Sequence, residues 1–131
     1  MRKYVVLTIE EIIHRHKEIK RQYQNIVTIM ITTQKYHYSF TPNAILDFLD
    51  VNKSQEGFIT ENQVEKIKIL LPTLRKANLI VVSCDGGISR SPAVAASIAK
   101  YFKDWKEYEY IRTHYPYMNI DVYEFVIKKM M

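Results

Sequence analysis

Residues 78–83, NLIVVS, are apolar and β-branched with scarcely a break. Such a run has no solvent face, so it reads as a strand covered on both sides, in the middle of a parallel sheet. The next twenty residues narrow the fold further. The chain passes Cys84, Gly86, Gly87 and Arg90 and reaches Ser91-Pro92, with serine as the helix N-cap and proline at the first helical position. Val94, Ile98 and Phe102 then recur at helical spacing as an inward stripe. Buried strand, tight loop and helix in succession form the repeating unit of an α/β layer structure.

The rest of the chain extends this pattern. YVVL (4–7) reads as a short strand. Thr8 and Glu11 have the spacing of a capping box, opening a helix with Ile12, His16, Ile19 and Tyr23 on one face. Residues 25–32 and 44–51 read as strands. Thr60 and Gln63 predict a second capping box before a helix with Val64, Ile67, Leu71 and Leu74 inward. Asp104 and Glu107 suggest another capped helix, carrying Trp105, Tyr108 and Ile111 and ended by Pro116. Residues 120–130 form a last helix with Val122, Tyr123, Val126 and Ile127 inward. Stretches 33–43 and 52–60 read as loops. The expectation is an α/β fold with a central, mostly parallel sheet of four to five strands flanked by helices, in a single domain over 1–131.

Composition excludes several classes. No apolar run approaches the ~18 residues of a membrane span, and no secretory leader is evident. With 131 residues and one cysteine, a disulfide framework is excluded and a reducing cytoplasm is the expected location. The net charge of +5 favours an anionic partner or substrate. The cations are spread along the chain, and HRHKEIKR reads as a solvated helix face, so neither nucleic acid nor membrane is an expected partner. His14, His16, His37 and His114 lack ligand-like spacing, so no metal site is expected.

In parallel α/β sheets, ligands bind beyond the carboxyl ends of strands, where SCDGGISRSP lies. Residues 85–90 contain no proline, so each keeps its backbone N–H. Gly86 and Gly87 permit the positive φ of a tight curl. Such a curl forms an anion nest, and the following helix adds its N-terminal dipole. Arg90 can supply a planar fork to two oxygens. Asp85, Gly86, Gly87, Ile88, Ser89 and Arg90 are therefore the expected cradle for a tetrahedral oxyanion. A thiol beside a helix N-terminus and among N–H donors is favoured as the thiolate. Cys84 would then be a nucleophile aimed at the bound anion's central atom. The competing reading is a structural free cysteine.

VVSCDGGISRSPAVAASIA resembles the signature loop, strand and helix of the cysteine-dependent protein tyrosine phosphatases, most closely their small dual-specificity-like branch of bacterial type. DFLDV and HYPYMNIDVYEF match more loosely. The resemblance implies a phosphotyrosine-phosphatase-like fold. It also implies that Cys84 attacks phosphorus, Arg90 holds the phosphoryl oxygens, and Ser91 assists departure of the thiolate in a second step, with no metal and no cofactor. The implied substrate is a phosphorylated protein or a small phosphate ester. The choice between phosphotyrosine and phosphoserine or phosphothreonine is left open, as is oligomeric state. Ser83 departs from the family, which has a histidine there that braces the loop. The proton donor the chemistry needs is assigned to Asp50, with Asp47 the alternative, and strand alternation would put these two on opposite faces. The segment after Asp50 reads as a lid. Asp85 is expected to point outward, away from the anion. Tyr36, Tyr38 and Phe40 are either a packed loop or an aromatic wall for a substrate ring, and Asn119 receives no catalytic role. Besides a phosphatase, a phosphate-recognition module without turnover and other thiol chemistry on an oxyanion remain open.

Overall fold

The computed structural model describes residues 2–131. In chain order the elements are β1 (Lys3–Thr8), α1 (Ile9–Gln22), β2 (Ile26–Ile31), β3 (Ala44–Leu46), α2 (Glu61–Ile69), α3 (Leu71–Arg75), β4 (Leu79–Cys84), α4 (Arg90–Tyr101), α5 (Trp105–His114) and α6 (Ile120–Met130). The four strands form one sheet in the order β1-β4-β2-β3, every pairing parallel. The continuous apolar run is thus an interior strand, β4, with a neighbour on each side. All six residues of β4 are buried.

Side-chain alternation along β4 separates two cores. Leu79 and Val81 join Leu7, Ile12 and Ile19 under α1. Ile80, Val82 and Cys84 face the larger core with Val27, Ile29, Ile31 and residues of α2, α4, α5 and α6. Helix α4 is buried along 90–99 because it lies between the sheet and α5 and α6. Its sequence is accordingly apolar or small on every side, as a fully enclosed helix requires. Among the described residues, no helix is long and apolar enough to cross a membrane.

Several local expectations change in the folded chain. The capping box at α1 forms: Glu11 N–H donates to Thr8 Oγ1 at 3.0 Å, and Thr8 N–H donates to the Glu11 carboxylate at 2.8 Å. The one expected at Thr60 does not, because Gln63 Oε1 instead accepts the N–H of Asp47. Asp104 and Glu107 are likewise drawn into tertiary contacts. Arg2 grips Asp104 with two hydrogen bonds of 2.8 and 3.0 Å, and Glu107 accepts the N–H of Tyr4. The helix expected through Leu74 breaks at Leu70. Pro72 cannot donate to Lys68, and its ring would clash with that carbonyl. The third strand stops at Leu46 rather than reaching Val51. Helix α4 begins at Arg90, with Ser89 rather than Ser91 at the N-cap position. Pro92 then falls in the first turn, where a missing N–H costs nothing.

Candidate active site

Cys84 is the last residue of β4 and stands in register with Thr8 of β1 and Ile31 of β2. The loop beyond it therefore leaves the carboxyl edge of the sheet between two neighbouring strand ends. Gly87 makes its tight curl possible. It has φ +69, and a Cβ there would lie 3.0 Å from the Thr8 methyl and 3.1 Å from the Thr8 nitrogen. Of the two glycines, only Gly87 uses the left-handed region. The curl turns backbone donors onto the sulfur: Cys84 Sγ accepts the N–H of Gly87 at 3.2 Å and that of Ser91 at 3.4 Å. Ser91 Oγ lies 3.1 Å from the same sulfur. Cys84 and Ser91 are both buried, so N–H and helix dipoles act on the sulfur with little solvent screening.

Arg90, the first residue of α4, is also buried. Its Nη1 donates to the carbonyl of Phe48 at 2.9 Å, and its Nη2 to Asp85 Oδ2 at 2.9 Å. Asp85, expected to point outward, binds two hydroxyls from outside the loop as well as Arg90. Its carboxylate turns across the loop to Arg90, and its Oδ1 accepts the hydroxyls of Thr32 at 2.8 Å and Tyr36 at 2.7 Å. Burial alone raises the Asp85 carboxyl. The hydrogen bonds from Tyr36, Arg90 and Thr32, with the charge of Arg90, more than reverse this and hold it below the ordinary carboxylate range. The same hydrogen bond to Asp85 pushes the Tyr36 hydroxyl up to about 12.

Asp50 is exposed beside the loop. Its Oδ1 accepts from Ser89 Oγ at 2.7 Å and from Asn119 Nδ2 at 2.9 Å. Asp47 is not brought to the loop: it is exposed and lines a separate cavity with Met30, Thr32 and Tyr36. The alternation argument that separated these two aspartates loses its premise, because the strand ends before either of them. The segment after Asp50, read as a lid, is hydrogen-bonded within itself and to α6. Asn52 accepts from Ser54 and Gln55, Leu49 N–H donates to Gly57, and Lys53 N–H donates to Asp121.

Asn119, given no catalytic role by its sequence context, ties three parts together. Its Nδ2 donates to Asp50 and to the carbonyl of Val51, its Oδ1 accepts the N–H of Val122, and its own N–H donates to Ser89 O. An asparagine just before an amphipathic helix is an N-cap signal, so its capping role was readable and its grip on Asp50 was not. Thr32 and the carbonyl of Phe48 gave no local signal. Of the aromatic loop, Phe40 stacks on His16 at 4.0 Å between ring centres and packs with the smaller core, while Tyr36 reaches Asp85. A cavity of about 800 Å3 lined by His16, Lys20, Phe40 and Asn43 opens near Ile26, at the opposite end of the sheet from Cys84. Among the described residues, no group of three or more His, Cys, Asp or Glu could hold a metal ion.

A four-stranded parallel sheet, a cysteine at the tip of an interior strand, a loop whose N–H groups turn onto its sulfur and a buried arginine define the class: an α/β fold with a thiol set among backbone donors at the carboxyl edge of its sheet. Comparison with solved structures agrees at the level of the fold. Tk-PTP, a protein tyrosine phosphatase solved in the active form, matches 97% of this chain and 91% of its own, with a TM-score of 0.55 and 14% sequence identity. No family model and no curated protein matches the sequence.

Proposed function

We propose that this protein is a cysteine-dependent phosphatase acting on phosphate monoesters, with phosphotyrosine in proteins the leading substrate. The observation that carries the reading is the convergence of two backbone N–H groups and the Ser91 hydroxyl on Cys84 Sγ, in the loop that also bears Arg90. The fold shared with Tk-PTP supports it. The first step forms a bond from Cys84 Sγ to phosphorus and breaks the ester P–O bond. Asp50 gives its proton to the leaving oxygen. Arg90 and the loop N–H groups spread the charge on the equatorial oxygens. In the second step water attacks the phosphocysteine, Asp50 takes back a proton, and the P–S bond breaks. Ser91 Oγ hydrogen-bonds the departing thiolate. Neither displacement requires a metal ion or cofactor.

The test is hydrolysis of p-nitrophenyl phosphate and phenyl phosphate by wild type, Cys84→Ser and Asp50→Ala. Cys84→Ser is expected to lose more than about a thousandfold on both substrates. Asp50→Ala is expected to lose about 10²–10⁴-fold on phenyl phosphate and far less on p-nitrophenyl phosphate, whose leaving group needs no proton. Full activity in Cys84→Ser would overturn the reading. Anion binding by a wild type that turns over neither ester would leave a phosphate-recognition module.

A further inference from the structure

Asp85 is an acid placed beside an anion site, and neither displacement step gives it a task. Its surroundings supply one. A guanidinium is planar and carries five N–H donors. In Arg90, one donor on Nη1 is fixed to the carbonyl of Phe48 and one on Nη2 to Asp85. Two anchors on separate terminal nitrogens define the plane. They leave Nε–H and one hydrogen on each Nη for an incoming anion. Asp85 is itself oriented from outside the loop by Thr32, just past β2, and by Tyr36. The Thr32 hydroxyl also accepts the N–H of Gln34, which ties the start of the 33–43 segment to the same point.

Building on the phosphatase reading, we propose that Asp85, held by Thr32 and Tyr36, is a positioning residue that fixes the Arg90 fork for the transition state of phosphoryl transfer. A flexible arginine must otherwise be ordered at the moment of reaction, and a donor set already in place avoids that reorganisation. The arrangement also explains how a carboxylate is tolerated here, since Arg90 and two hydroxyl donors offset its charge. The 33–43 segment thereby gains a say in catalysis through the Tyr36 hydroxyl, without touching substrate.

The experiment compares orthovanadate, which adopts the five-coordinate geometry of the transition state, with inorganic phosphate, which does not. Affinities for both are measured in wild type, Tyr36→Phe and Asp85→Asn. Removing the Asp85 charge alone strengthens or weakens both anions together, so the ratio of the two affinities is the reading. Positioning predicts that the preference for vanadate falls about tenfold in both variants, with an equal fall in kcat on phenyl phosphate. The rate of Cys84 alkylation by iodoacetamide in Tyr36→Phe should be unchanged, because the sulfur's donors are Gly87 and Ser91. An unchanged ratio, with or without tighter binding of both anions, would overturn the proposal and make Asp85 a repelling charge or a structural link. A wild type that prefers vanadate, with the preference lost in both variants, but turns over no ester would overturn the phosphatase reading and with it the catalytic purpose proposed here, while upholding the positioning of Arg90 by Asp85. A wild type that binds neither anion overturns both.

Discussion

Ser83 Oγ is buried and, among the described residues, finds no hydrogen-bond partner. The residue sits mid-sheet, in register with Leu7 on one side and Met30 on the other. A hydroxyl in such a place costs about 1–3 kcal/mol relative to an apolar group. Ser83→Ala is therefore expected to stabilise the protein, raising the urea midpoint while leaving turnover within about twofold. A lower midpoint would mean that the hydroxyl is satisfied after all. The phosphatases that the loop resembles carry a histidine at this position, and a serine hydroxyl could serve there as a smaller donor. The structure gives the Ser83 hydroxyl no such task. Within the one loop, spacing was enough to place Cys84 and Arg90 on a single curl, while Ser91, which lies against the sulfur, read by spacing as the helix N-cap and took its other role only from the resemblance. The orientation of Asp85 was not legible, because its partners Thr32 and Tyr36 reach it through the pairing of β2 with β4.

At the level of elements, the N-terminus of α6 holds the candidate acid in place. Asn119 caps that helix through Val122 N–H and grips Asp50 with its amide nitrogen. Asn119→Ala removes both functions. It should cost about 1 kcal/mol of stability through the lost cap and lower kcat on phenyl phosphate more than on p-nitrophenyl phosphate. Asn119→Asp separates the two functions, since aspartate caps as well as asparagine but sets a second carboxylate against Asp50. Denaturation and kinetics on the same two variants check this. Equal activity on both esters in Asn119→Asp would show that Asp50 is not held by this contact. The same contrast between local and distant partners explains which elements the sequence revealed. Thr8 and Glu11 cap α1 because nothing else competes for them. Asp104 and Glu107 have the same spacing, yet Arg2 and Tyr4 claim them from the other end of the chain. The β-branched runs of β2 and β4 were readable from composition, and helix α4 from its Ser-Pro start and the spacing of Val94 and Ile98, though its burial on every side was not. The end of β3 was not, because what replaces it is a turn laced to α6 by Lys53 and Asn119.

Over the whole molecule, the parallel sheet gathers loops from distant parts of the chain at one edge, and Asp85 is an ionic hub there. It joins the end of β2, the Cys84 loop and the first residue of α4. Its carboxyl is held below the ordinary value of 3.8 in the folded protein. A depressed carboxyl binds fewer protons when folded than when unfolded, so its contribution to stability is complete above the unfolded value. That contribution is lost as pH falls from there through the folded value. Wild type is thus expected to lose Tm below about pH 4 more steeply than Asp85→Asn, which has no such proton to take up. The remaining carboxylates, including Glu61 paired with Lys129, titrate in both proteins and cancel in the difference. Thermal melts of the pair from pH 2 to pH 7 measure it directly. The gap between the two curves should be widest near neutrality and close on the acid side. Curves that stay parallel would mean that Asp85 gains nothing from its partners on folding, and that the edge is held by packing and backbone hydrogen bonds alone.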